Sequence, residues 1–125
     1  MKYTVIDPPR VFRVGAERRI SIRDCARIHL EADEQITLVT GAGAEYDITR
    51  KEWGYYATPS LNGRLRAAGL RGALVKNTAA KLYVLLMETG KETEFAAYLA
   101  SEKMDVVAWL DDDYALTLPE RPAKG

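Results

Sequence analysis

The segment with the most potential chemistry is residues 53–66, in which three aromatic rings precede hydroxyl, amide and guanidinium groups. Ring faces can stack on a base or a sugar, and guanidinium groups can donate paired hydrogen bonds to a phosphate or carboxylate. Thr58 followed by Pro59 is typical of a helix start, where free N–H groups favour an anion. The sequence therefore predicts a site for an anionic metabolite such as a sugar phosphate or nucleotide sugar, formed by Trp53, Tyr55, Tyr56, Thr58, Ser60, Asn62, Arg64 and Arg66.

The same segment has a structural alternative, in which Trp53 and one tyrosine complete the core and the arginines solvate a helix. It also carries a resemblance. Residues 53–65 (WGYYATPSLNGRL), continuing through residues 69–71 and 73–77, resemble a family of small uncharacterised bacterial proteins. The resemblance covers about residues 46–110. It implies an association with cell-surface polysaccharide biosynthesis, favours an activated sugar as the ligand, and transfers no catalytic residue, because the family has no established activity.

Nucleophilic or acid–base catalysis needs a partner for the single cysteine or the single histidine. Cys25 and His29 lie four residues apart on one predicted strand, which separates them by about 12 Å or more along the same face. We therefore predict no catalytic residue and favour a non-catalytic binding or accessory protein. The alternative is a small enzyme acting on a carbohydrate or nucleotide, with Asp24, His29 or Tyr56 transferring protons and Arg64 clamping the anion.

Metal and cofactor sites are not indicated. One histidine and one cysteine cannot build the usual transition-metal shell, and the run of three aspartates at residues 111–113 lacks the spacing and glycine of an EF-hand loop. We predict a solvated acidic turn there. Residues 41–44 (GAGA) resemble half of a dinucleotide fingerprint, but a strand rather than a helix is predicted to follow them. No cofactor is expected.

Charge is balanced overall, with 18 basic and 18 acidic residues, but unevenly distributed. Residues 1–80 hold 13 basic against 9 acidic side chains, a balance of +4, and residues 81–125 hold 5 against 9, a balance of −4. The two oppositely charged parts can attract each other within the fold or between protomers. The predicted partners are therefore a second copy of the chain, forming a homodimer, or a partner enzyme. A zero net charge makes nucleic acid an improbable partner, so single-stranded nucleic-acid binding through Tyr55, Tyr56 and the arginines ranks third.

The first half of the chain reads as extended structure. Residues 1–18 are predicted to be an extended lead-in fixed by the Pro8-Pro9 pair. Residues 19–30 alternate apolar and polar side chains and predict a strand, whose hairpin partner is residues 35–40. A further strand is predicted over residues 45–53.

The second half predicts two helices among strands. The first helix runs from the Thr58 cap to Gly69, which closes it. Residues 71–76 and 81–88 predict a hairpin across residues 77–80, and the apolar run 82–87 predicts a central strand covered on both faces. A second helix follows residue 89, with Phe95, Tyr98 and Leu99 inward and Glu102 toward solvent, and residues 105–110 predict a last strand.

These elements predict a single α+β domain over residues 1–125, mostly antiparallel sheet with two helices. From about residue 45 the order matches a ferredoxin-like βαββαβ arrangement, preceded by an N-terminal β-hairpin, and residues 117–125 are predicted to be a loose tail. No signal peptide is recognisable, and the longest apolar stretch is far below the ~20 residues of a membrane span. We expect a cytoplasmic protein that does not bind membranes.

Overall fold

The computed structural model describes residues 1–111. They form mostly antiparallel sheet with two α-helices, so the predicted α+β class is confirmed. In chain order the elements are β1 (Lys2–Val14), β2 (Ile20–His29), β3 (Gln35–Val39), β4 (Glu45–Lys51), β5 (Gly54–Ala57), α1 (Arg64–Ala67), β6 (Leu70–Lys76), β7 (Leu82–Glu88), α2 (Glu92–Ser101) and β8 (Asp105–Trp109). Within this range, no helix is long and apolar enough to cross a membrane. The predicted loose tail, residues 117–125, lies outside the described residues.

The N-terminal segment is not a lead-in. β1 pairs antiparallel with β2, from Lys2 opposite His29 to Val14 opposite Ile20. The predicted hairpin of residues 19–30 with residues 35–40 is therefore wrong, and β3 pairs with β4 instead. The register shifts between Val5 and Arg10, where the two prolines lie, and a bulge lets a strand keep residues that cannot donate to the ladder.

This two-stranded ribbon, β1 with β2, has two chemically different faces. Paired residues lie on the same face and successive residues alternate. One face, which we call the apolar face, carries Tyr3, Val5, Phe12, Val14, Ile20, Ile22, Ala26 and Ile28 around an Arg10–Asp24 ion pair. The opposite face, the basic face, carries Lys2, Arg13, Arg23, Arg27 and His29, and no acidic residue occurs in its register pairs.

The second sheet has the order β3-β4-β5 and the third has the order β7-β6-β8. The predicted hairpin of residues 71–76 and 81–88 is confirmed as β6 and β7. β7 is not central, however: β6 lies between its two neighbours, and Leu82 and Val84 of β7 are 58% and 60% exposed. A continuous apolar run does not distinguish a covered strand from an edge strand that displays its side chains.

The ferredoxin-like arrangement is corrected by this pairing. In that fold the first strand of the repeat joins the same sheet as the later three. Here β4 is bonded to β3 on one side and to β5 on the other, so neither of its edges is available to β6, β7 or β8. The predicted order also missed β5, which follows β4 before the first helix, and the strands are divided between separate sheets.

The first helix is much shorter than predicted. Only Arg64–Ala67 is helical, and Gly63 occupies the N-cap position. Thr58 does not cap it: its Oγ1 donates to the carbonyl of Asp47 at 3.2 Å. Glycine within the expected first turns weakens helix formation. Gly69 closes the element as predicted, with φ +91° and its N–H donating to the carbonyl of Arg66 at 3.0 Å.

The core lies where the second sheet, α1 and the third sheet meet. Ala44, Leu65 and Leu70 are buried together, and Tyr46 and Leu86 pack against them. Leu65 is fully buried, so the main contribution of the four-residue helix is to place this side chain in the core. The N–H of Glu45 donates to the carbonyl of Ala68 at 3.1 Å and ties β4 to the end of α1.

The second helix packs on the third sheet through a tilted ring contact, with the centroids of Phe95 and Trp109 5.9 Å apart. Its last turn corrects one expectation. Glu102, predicted to face solvent, is only 7% exposed. The reason is the ribbon: its turn, Gly15–Ala16, lies against the end of the helix and covers the carboxylate.

Candidate functional site

The three rings of the predicted site are not consumed by the core. Trp53 lies at the turn between β4 and β5 and is 73% exposed, while Tyr55 and Tyr56 on β5 are 65% and 52% exposed. Tyr55 and Tyr56 are successive strand residues, so their rings lie on opposite faces of the sheet. The guanidinium of Arg50 lies 5.9 Å from the centre of the Tyr55 ring. Tyr56 shares the face of Thr49 and Asp47, whereas Tyr55 shares the opposite face with Arg50, so the rings do not form one stacking platform.

Arg64 lies back over β4 rather than toward open solvent at a helix start. Its Nη2 donates to Oδ2 of Asp47 at 3.0 Å, and its Nη1 donates to the carbonyl of Thr58 at 3.4 Å. Its side chain is nevertheless 63% exposed, whereas that of Asp47 is 14% exposed. The guanidinium is thus bonded to the protein on one side and accessible to a ligand on the other.

The part of the prediction that relied on a helix N-terminus is wrong. α1 has only four residues, and its first N–H, that of Arg64, already donates to Oγ of Ser60 at 2.8 Å. Thr58 is engaged with Asp47, as described above. Asn62 is exposed in the turn that leads into α1. An anion at this segment would be bound by side chains, not by bare backbone donors.

Arg66 belongs to a different constellation, formed with Arg71 and Asp111. Asp111 is fully buried, and its Oδ2 accepts from Nε of Arg66 at 3.0 Å and from Nε of Arg71 at 2.8 Å. The predicted solvated acidic turn is therefore wrong at Asp111, while Asp112 and Asp113 lie outside the described residues. The hydrogen bond from Arg71, helped by that from Arg66 and opposed by burial, lowers the pKa of Asp111 to about 2.

This cluster joins the two oppositely charged parts of the chain. Arg66 and Arg71 come from the acid-free stretch of residues 53–80, and Asp111 comes from the acidic C-terminal part. The guanidinium of Arg71 also lies 4.1 Å from the centre of the Trp109 ring. The opposite charges thus attract within one fold here, and Arg66 is a structural residue more than a ligand donor.

The residues of the alternative, enzymatic hypothesis are not brought together. Asp24 is paired with Arg10 on the apolar face of the ribbon, whereas His29 lies on the basic face and Tyr56 lies in another sheet. Sγ of Cys25 donates to the carbonyl of Arg23 at 3.5 Å. Among residues 1–111, no three histidine, cysteine, aspartate or glutamate side chains lie close enough to hold a metal ion.

Two features were missed by the sequence reasoning. The first is the basic face, whose signal was present in the polar half of the alternation over residues 19–30. The second is a cavity of about 530 Å³ between the ribbon turn, β7 and the end of α2, which no local pattern could reveal. Comparisons with protein-family models, with curated proteins and with solved structures found no match.

Proposed function

We propose that this chain is a non-catalytic binding or accessory protein, and that the β4–β5 hairpin with the adjoining Arg64 is where it contacts an anionic partner. The observation that carries the proposal is the exposure of Trp53, Tyr55 and Tyr56. Large rings are usually buried, and an exposed tryptophan and tyrosines beside an arginine are the composition of binding surfaces. The separation of Asp24, His29 and Tyr56 supports binding over catalysis.

The chemistry of the site favours a ligand with both a ring and a negative charge. Tyr56 offers an exposed ring on the face of the sheet that also carries Asp47, and Arg64 offers a guanidinium that is bonded to Asp47 yet largely exposed. A preorganised guanidinium loses little freedom on binding phosphate. A sugar phosphate or a nucleotide sugar combines these features, and the polysaccharide association implied by the resemblance favours the nucleotide sugar.

The test is a thermal-unfolding titration of the whole chain with UDP-glucose, glucose 1-phosphate and inorganic phosphate. A specific ligand at 100 times its Kd adds about 2.7 kcal/mol, which raises Tm by several degrees in a domain of this size. Tyr56→Ala and Arg64→Ala should each reduce the affinity about 10-fold, because a stacked ring or a charge-assisted hydrogen bond contributes roughly 1–3 kcal/mol.

A matched control is available in Tyr3→Ala, since Tyr3 on the ribbon is largely exposed, as is Tyr56. That variant should bind as the unmodified chain does. Binding that is equally weakened by both tyrosine substitutions, or a response to none of the three ligands, would refute the proposed site.

A second candidate function, binding of a nucleic-acid strand, is favoured by the basic face of the ribbon. Arg13, Arg23 and Arg27 make no ion pair with another residue of the described range 1–111. Regularly spaced cations without neighbouring acids attract a phosphate backbone. Four contacts, counting Lys2, would give a slope of about −3 for the logarithm of affinity against that of salt concentration with a single strand.

Fluorescence anisotropy with a labelled oligothymidine measures this slope. The double variant R23Q/R27Q should reduce its magnitude by about 1.4. Arg19→Gln is the control, because Arg19 lies at the ribbon turn in an ion pair with Glu17. A slope near zero, or one that the double variant leaves unchanged, excludes this function.

A further inference from the structure

A cavity lies apart from the candidate site formed by the rings and Arg64. It is lined by the ribbon turn, by β7 and by the end of α2, and has a volume of about 530 Å³. Val14, Ile22, Leu85 and Met104 give it an apolar lining. Cavities of about 300–1,000 Å³ are the usual size for small organic ligands.

One buried carboxylate lines this apolar cavity. Glu102 is 7% exposed, and its Oε1 accepts a hydrogen bond from the N–H of Ala16 at 2.7 Å. Its Oε2 has no hydrogen-bond or ion-pair partner among residues 1–111. Because no wholly buried side-chain oxygen or nitrogen of this range lacks a partner, Oε2 is reached from the space that Glu102 lines. This oxygen is therefore an acceptor that a donor group in the cavity can reach, and a carboxylate accepts most strongly from a cationic donor.

The surroundings add to the negative character of the cavity. Glu102 directly follows α2, and the carboxyl end of a helix carries partial negative charge. Tyr83 and Tyr98 also line the space, and the face of a tyrosine ring attracts an ammonium group. Lys103 also lines the cavity, but it is exposed and makes no ion pair with Glu102.

We propose that this cavity is a binding site for a small organic ammonium ion with an apolar stem. The ammonium group donates to Oε2 of Glu102 and lies against the tyrosine rings. The stem occupies the space between Val14, Ile22 and Leu85. Recognition requires both features, because the carboxylate selects the ligand's positive charge and the apolar lining selects its stem.

The first test compares three ligands of equal length on the unmodified chain by isothermal titration calorimetry: hexylammonium, 1-hexanol and hexanoate. For a ligand of this size we expect Kd on the order of 1 mM or tighter. Hexylammonium should bind at least 10-fold more tightly than hexanol, and hexanoate should not bind. Equal affinity for the three, or no binding of hexylammonium at 20-fold that concentration, on the order of 20 mM, overturns the proposal.

The second test removes the charge while keeping the shape. Glu102→Gln retains an oxygen that can accept from the N–H of Ala16, and should weaken hexylammonium binding at least 10-fold while hexanol binding changes less than 2-fold. Glu94→Gln, an exposed position on the same helix, is the matched control and should bind normally. Unchanged affinity in Glu102→Gln contradicts the proposal. If that variant does not fold, Tyr98→Leu should weaken the ammonium ligand about 3-fold more than the alcohol, and the ligand series above decides independently.

Discussion

Replacement of Asp111 by asparagine would test the buried charge cluster that joins α1, β6 and the end of β8. The carboxylate accepts hydrogen bonds from two guanidinium groups, and its side chain has no exposed area. Its pKa is lowered from 3.8 to about 2, and at about 1.4 kcal/mol per pKa unit this corresponds to about 2 kcal/mol of stability. Asparagine keeps one acceptor oxygen but removes the negative charge that Asp111 places beside Arg66 and Arg71.

We expect Asp111→Asn to lower the free energy of unfolding by about 3 kcal/mol at pH 7. Breaking a buried pair costs roughly 3–5 kcal/mol, and the lower end applies because the Arg66 and Arg71 side chains are themselves 55% and 33% exposed. The pH dependence has a definite sign. A carboxylate whose pKa is lowered by folding stabilises fully above its unfolded pKa, near 3.8, and this stability is lost as the pH falls through about 2.

Urea unfolding of both chains at pH 7, 4 and 2 measures these quantities. The difference between the unmodified chain and the variant should be constant from pH 7 to about 5 and shrink by about 2 kcal/mol at pH 2. Asp47→Asn is the control at pH 7: its partner Arg64 is 63% exposed, so a loss of less than about 1 kcal/mol is expected. No loss at pH 7 would show that the cluster does not stabilise the fold, and an undiminished difference at pH 2 would show that the loss does not come from the charge of Asp111.

Two further substitutions probe the ribbon turn and the free strand edge. Gly15→Ala should lower the free energy of unfolding in urea by about 2 kcal/mol, because φ is +83° and the added Cβ would clash with Oε1 of Glu102. Gly41→Ala is the control and should be nearly neutral, since its Cβ would have nothing within 4 Å. Similar losses in both variants would contradict the close approach at Gly15. Val84→Lys places a charge on the exposed edge strand β7. It should reduce self-association measured by light scattering and change the free energy of unfolding by less than about 0.5 kcal/mol. Unchanged scattering would argue against this edge as a contact between copies of the chain.

Elements specified by short-range interactions were predictable from the sequence. The β6–β7 hairpin is one example, because Asn77 shapes its own turn: its Oδ1 accepts from the N–H groups of Ala79 and Lys81 at 3.0 and 2.9 Å. The strand β2 was predicted from its alternation. Its partner strand was not predicted, since alternation shows which side chains share a face but not which strand lies beside them. The two prolines led to β1 being predicted as a lead-in and not as a strand.

The site was predictable as a composition but not as a geometry. The exposed rings and Arg64 belong to one short segment, which the sequence identified. Arg66 meets Asp111 across 45 positions, and Glu102 meets Ala16 across 86. No local pattern predicts contacts over such separations. The sequence therefore could not show that Arg66 makes a structural ion pair or that Glu102 is buried.

The attachment of the ribbon has a consequence for how the molecule opens. Its turn is joined to the end of α2 by the hydrogen bond of Ala16 to Glu102 and by that of Arg19 to Ser101, while most of its length exposes both faces. An isolated two-stranded hairpin is only marginally stable in water. The ribbon should therefore detach as a cooperative unit of its own well before the third sheet unfolds, and its amides should exchange with deuterium fastest. The carboxylate that accepts from Ala16 is the same one that lines the cavity, so detachment of the ribbon would also open that cavity.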